Sequence, residues 1–497
     1  MNTFKRAISM LFLALFAMVL SACMIESGDV VSGDNAGAAN DINTYISEGE
    51  SADGLILYPF SGNIHDPFFF RLYYEFVWTD ERDRAWEEDI VQFATTMLRH
   101  PTLRGYGLIS TEEALRRDMF EDDTQRTPLA GFNLAFTHAD FYINKELEYR
   151  LIDMVNELIF DVPALSDIEI KFRLSEIIAI LGDAHSNIEL PLFETIYPLG
   201  LVSLYDGFYV TAIPKVFEHV LYSRLIRING FYVDDIVERF AEIIPHENNY
   251  RLRALSRLHL RGSDILSFTG VTGDMSPTTF TFESISGEML EISLSPTSTP
   301  NEIDMIVHQF DGEENLTHRN PGEDFWGHRF PEKSVVYLRN RSLVESSLHL
   351  AQVLNNLDIN DRLETLVIDL RQNVGGFLPS AMTNFADDMI SGRISTVYVI
   401  IDSGSYSAPI IFASLLRSTF ENVYIVGEPA PQPANFFVSQ RATLRHSGVG
   451  FNVSEFFRET SQDERHIYAL VPDIFIPLTI GDIVNYRDPV MEFILTK

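Results

Sequence analysis

Between residues 334 and 426 the chain alternates short apolar runs with amphipathic stretches, and no other feature narrows the fold as much. Residues 335–338, 365–370, 396–401 and 423–426 read as strands, being short runs rich in Val, Ile, Leu and Tyr bounded by turn-forming residues. Residues 344–357, 378–390 and 408–417 read as helices. Strands alternating with helices predict an α/β layer structure, in which chemically active groups sit on the loops at strand ends.

Two such loops carry candidates. Asp369-Leu370-Arg371-Gln372-Asn373-Val374-Gly375-Gly376 directly follows a strand. A glycine pair there allows backbone N–H groups to face a ligand, where they can stabilise an oxyanion, although the same glycines suit a tight strand-to-helix turn. Asp402-Ser403-Gly404-Ser405-Tyr406-Ser407-Ala408-Pro409 lies between a strand and a helix. A serine at a helix N-terminus is near oriented amides and can be a nucleophile, but serine is also a preferred helix cap.

Upstream, the pattern over 60–182 is mainly helical. One helix is expected over 143–159, and a second opens at the capping-box sequence Ser166-Asp167-Ile168-Glu169. Gly182 fits the stop of that second helix, so His185 is placed on a turn leading into 187–190. Residues 195–300 read as short β runs with a helix near 233–244, and 223–230 as a strand ending in an Asn229-Gly230 turn.

Taken together, these segments resemble the tail-specific (C-terminal processing) and tricorn-like serine peptidases. The loop 369–376 is similar to their Asp-Leu-Arg-x-Asn-x-Gly-Gly motif, and Gly182-Asp183-Ala184-His185-Ser186 to their Asp-x-His-Thr element. Ser405-Tyr406-Ser407-Ala408 aligns with the segment bearing the nucleophile, and Gly427-Glu428-Pro429 with the strand end that follows. Val471-Pro472-Asp473-Ile474 and Asp488-Pro489 match the closing Pro-Asp-Ile and Asp-Pro. The resemblance implies a crotonase-like (ClpP-like) peptidase core, a mainly helical N-terminal portion, and a divergent PDZ-like insert between them.

The family has two catalytic designs. One uses a lysine about 25 residues after the serine, but here that point is Gln432–Pro433, and no lysine stands between Lys333 and Lys497. The other uses the histidine of the Asp-x-His element, which makes His185 the expected base and Ser407 the nucleophile; imidazole titrates near neutrality and can carry the proton both ways. By resemblance the oxyanion would be held by the amides of Gly376 (first choice) or Gly375, with that of Ala408. The orienting acid expected before the Pro-Asp element is Glu464, with Asp463 or an acid-free dyad as alternatives. Ala184 stands where the tricorn-like enzymes have a serine. Asp369 and Arg371 are expected to fix the glycine loop, and Asn435 is either a cleft residue or a turn asparagine.

The remaining expectations concern the ends and the bulk. Lys5 and Arg6 precede an apolar run over 8–20, ending in Leu20-Ser21-Ala22-Cys23, and Cys23 is the sole cysteine. That tetrapeptide resembles a bacterial lipobox. It implies a lipoprotein signal peptide over 1–22, lipid attachment at Cys23, and an exported chain anchored to the bacterial membrane outside the cytoplasm. A polar tether over 23–54 follows, then the helical portion over 55–194, the β-rich region over 195–300 and the α/β core over 301–497. A net charge of −34 without a basic stripe argues against nucleic-acid partners. His-Glu-x-x-His, a phosphate loop and a dinucleotide fingerprint are all absent from the sequence, so no metal or cofactor is expected. The expected partner is a peptide or exported protein substrate; a non-catalytic ligand- or peptide-binding lipoprotein on the same fold is the alternative.

Overall fold

The computed structural model describes residues 80–97, 100, 145–189, 194–273, 277–309, 316–320, 322–343, 363–376, 394–434, 436–458 and 468–497. The apolar run over 8–20, Cys23, the helices expected over 344–357 and 378–390, Asn435, Asp463 and Glu464 lie outside the described residues.

The α/β expectation holds. A six-stranded sheet runs in the order Ile474–Phe475, Val423–Gly427, Ile394–Ile401, Leu363–Asp369, Val335–Asn340, Phe325–Phe330. All neighbours are parallel except Phe325–Phe330, which pairs antiparallel at one edge. Both faces are covered, which explains runs such as Val335–Asn340 in which every residue is buried. On one face Val336, Leu338, Leu366, Ile368, Val397 and Val399 pack with the helix Ala408–Thr419. On the other, Tyr337, Val367, Tyr398 and Ile400 meet Val490, Met491 and Ile494 of the helix Pro489–Leu495. Each fully buried side chain of this kind contributes about 1.5–3 kcal/mol.

A buried ionic cluster ties the ends of this layer together. Arg371 donates to both oxygens of Asp369 and, at 3.1 and 2.8 Å, to Asp488. Asp488 in turn caps the helix Pro489–Leu495 through the Met491 N–H. Asp369 also accepts from Tyr337 and Arg339. Asp369 and Arg371, expected to fix the glycine loop, are bonded to each other and to Tyr337, Arg339 and Asp488.

The helix opened by Ser166 is Asp167–Ala179, with the capping box formed in both directions. Residues 200–307 hold an antiparallel sheet, ordered Gly200–Leu204, Gly207–Pro214, Arg224–Ile228, Thr278–Glu283, Met289–Leu294, with two short strands alongside. This region is less purely β than its sequence suggests. Besides Val233–Phe240 it contains helices Asn249–His259 and Ser263–Phe268. The first escapes notice because two of its three buried residues, Ser256 and His259, are polar, so no apolar stripe marks it.

Candidate active site

The two loops picked out in the sequence follow adjacent parallel strands, Leu363–Asp369 and Ile394–Ile401, at their C-terminal ends. They are bonded to one another. Asp402 Oδ1 accepts from the Gln372 N–H, Ser405 Oγ donates to the Leu370 carbonyl, and the Tyr406 N–H donates to the Asn373 carbonyl at 2.9 Å.

Ser407 does not act as an ordinary helix cap. Its side chain makes no capping bond, and its backbone sits at φ 69°, ψ −124°, a conformation that L residues rarely adopt. Such a geometry costs about 1–3 kcal/mol and persists only where surrounding contacts enforce it. Here the Ser407 N–H donates to Gln432 Oε1 at 2.5 Å, and Gln432 is itself buried. Gln432, 25 residues after Ser407, therefore braces the Ser407 backbone.

His185 reaches the serine from a separate element. After Asp167–Ala179 the chain turns at Gly182, φ +63°, and enters the strand Asn187–Ile188, which pairs with Gly450–Arg458. Asp183, fully buried, anchors the turn. It accepts from the His185 N–H at 2.9 Å, Ser186 Oγ at 2.8 Å, Ser454 Oγ at 2.5 Å and His100 Nε2 at 3.2 Å. Burial would raise its carboxyl, but the side chains of His100 and His185 outweigh burial and hold it well below the usual range. The result is a His185 Nε2 to Ser407 Oγ separation of 3.2 Å.

Two acids stand beside His185, and the sequence singled out neither as its partner. Glu247, on the loop before the helix Asn249–His259, brings Oε1 within 3.4 Å of His185 Nδ1, and Asp183 Oδ1 lies at 3.5 Å. Glu464, the expected acid, is not among the described residues. No local pattern marks Glu247. Its loop is located by Asn248, whose side-chain amide donates to the Tyr468 carbonyl at 2.7 Å. Neither carboxylate is the nearest group to Nδ1. The Tyr406 hydroxyl is, at 2.8 Å, and it also lies 2.7 Å from Glu247 Oε1.

Burial alone would lower the His185 pKa, but Asp183 and Glu247 together outweigh it and push it up to about 9. Tyr406 is raised well above its ordinary value, by burial first and then by the charge of Glu247. Asp183, His185 and Glu247 have ligand-capable atoms within 4.8 Å of one another and could hold a metal ion by type. The Tyr406 hydroxyl already bridges His185 and Glu247.

The glycine loop faces the serine. A Cβ built on Gly375, φ +132°, would come within 3.3 Å of Ser407 Cβ and 3.6 Å of its Oγ. The Gly375 N–H is committed to Asn373 Oδ1 at 3.0 Å, which makes Gly376, exposed and also at positive φ, the better placed donor of the pair. Ala408, as first residue of its helix, has an N–H with no intrahelical partner.

No family model matches the sequence, and no curated protein matches it. Solved structures do resemble it at low identity. Mature CPAF is 14% identical, with a TM-score of 0.47 over 71% of this chain and 92% of that one. The tricorn protease is 11% identical, with a TM-score of 0.39 over 85% of this chain and 38% of that one. The photosystem II D1 C-terminal processing protease is 12% identical, with a TM-score of 0.33 over 67% and 89%. Likenesses this distant carry no argument about function.

Proposed function

We propose that the chain is an exported, lipid-anchored serine peptidase that cleaves peptide bonds through an acyl-enzyme on Ser407. The observation that carries this reading is the strained, uncapped Ser407 with its Oγ 3.2 Å from His185 Nε2. A serine serving only as a cap would have no need of either feature.

In this reading His185 Nε2 takes the hydroxyl proton as Ser407 Oγ attacks the scissile carbonyl carbon. The oxyanion is received by the N–H groups of Gly376 and Ala408. Collapse breaks the C–N bond, and His185 returns its proton to the leaving amine. Water then attacks the ester with His185 as base again, releasing the acid and restoring the serine. Glu247 supplies the negative charge that stabilises the imidazolium. The crotonase-like core and the PDZ-like character of the region around 200–307 belong to the same reading. So do the signal peptide, Cys23 acylation and location outside the cytoplasm. Among the described residues no helix is long and apolar enough to cross a membrane.

The test is labelling of the full-length chain with a fluorophosphonate probe, followed by mapping of the modified peptide. The reading expects the adduct on Ser407, lost in Ser407→Ala and in His185→Ala. A folded wild type that takes no label would favour the non-catalytic binding alternative.

A further inference from the structure

Tyr406 has no place in the reaction as written, yet it makes the shortest contact to the base. Its hydroxyl carries one proton and stands between Glu247 Oε1 at 2.7 Å and His185 Nδ1 at 2.8 Å. A carboxylate can only accept, so the tyrosine proton points to Glu247 and an oxygen lone pair is left facing Nδ1. Nδ1 must then carry the hydrogen. In neutral imidazole this leaves the lone pair on Nε2, the atom 3.2 Å from Ser407 Oγ. The opposite tautomer would set two lone pairs against each other at Nδ1 and present an N–H where the serine proton has to go.

We propose that Tyr406 is a positioning residue that fixes the tautomer and plane of His185, with Glu247 acting on the imidazole through the tyrosine hydroxyl. This rests on the peptidase reading for its purpose but not for its geometry. The two rings stack with centroids 4.6 Å apart and planes at 28°. The Arg251 guanidinium lies 3.7 Å over the Tyr406 ring and holds it in place. Tyr406 directly precedes Ser407, and its N–H is bonded to the Asn373 carbonyl, so one hydrogen bond ties the glycine loop to the segment that carries both the nucleophile and the support of the base. Among the described residues, Glu247 Oε2 is buried without a hydrogen-bond partner. Tyr406 stays neutral throughout; no proton passes through it.

The experiment is ¹⁵N NMR of the histidine rings in the full-length chain, wild type against Tyr406→Phe, at a pH above the His185 titration. The His185 signals are assigned by their loss in His185→Ala. Phenylalanine keeps the ring, the stack and the guanidinium contact while removing the hydroxyl. The proposal expects a protonated Nδ1 and bare Nε2 in wild type and a mixture of tautomers in Tyr406→Phe. Fluorophosphonate labelling should also slow about 10–100-fold with the melting temperature nearly unchanged. An unchanged tautomer and labelling rate in Tyr406→Phe would overturn it. Should that variant misfold, Glu247→Gln is the second test: loss of the tautomer preference supports the relay, and an unaltered preference refutes it. A wild type with the expected tautomer that takes no label would sink the peptidase reading and leave the relay standing.

Discussion

At the scale of single residues, the site is a histidine whose charge is set by its neighbours. Asp183 and Glu247 lift His185 to about 9, so near pH 7 only about 1% of the imidazole is neutral. Because the base must be neutral to take the serine proton, kcat/KM should climb as pH rises from 7 through about 9 and level off above. Stability should move the other way. A histidine raised from 6.5 to about 9 stabilises the fold fully below pH 6.5 and loses that contribution as pH rises through 9. A pH series of rates and melting temperatures checks both signs, and a rate plateau already reached at pH 7 would contradict the first. The choice of acid is tested separately. Glu247→Gln should lower kcat/KM about 10–100-fold, whereas Glu464→Gln should leave it within about twofold.

At the scale of elements, two buried charge arrangements behave differently. Arg371 joins Asp369 to Asp488 and so couples the glycine loop to the C-terminal helix. Replacing it with leucine takes from two buried carboxylates the cation they share, and unfolding in denaturant should show a loss of about 3–5 kcal/mol. Glu428, by contrast, is raised to about 7, chiefly by burial, with one N–H from Leu478 to compensate. A carboxyl raised above its unfolded value costs the fold increasingly as pH climbs from about 4.5 to 7. Glu428→Gln should therefore melt like wild type below pH 4.5 and above it in temperature beyond pH 7. A constant offset at every pH would contradict this account.

At the scale of the whole molecule, what could be read in the sequence was local. The strands of the core sheet follow from runs such as 396–401, and the loops at their ends are marked by Gly375, Gly376 and Ser407. His185 could be located because a capping box and a glycine bracket the helix before it. Glu247 could not, since it lies 62 residues beyond His185 and 160 before Ser407, on a loop placed by contacts of Asn248 with residues near 430 and 468. Tyr406 stood in a recognised segment, but a tyrosine hydroxyl declares a partner only once the fold supplies one. The choice between Gly376, the first expectation, and Gly375 turns on the same kind of contact, since the Asn373 side chain holds the Gly375 amide.

The most direct test of the central claim is intact-mass spectrometry of the full-length chain, acid-quenched soon after mixing with an activated ester at pH 9. The account predicts one acyl group per chain, mapped to Ser407 and absent from Ser407→Ala and His185→Ala. Turnover of the ester with no adduct, or an adduct that persists in Ser407→Ala, would contradict it.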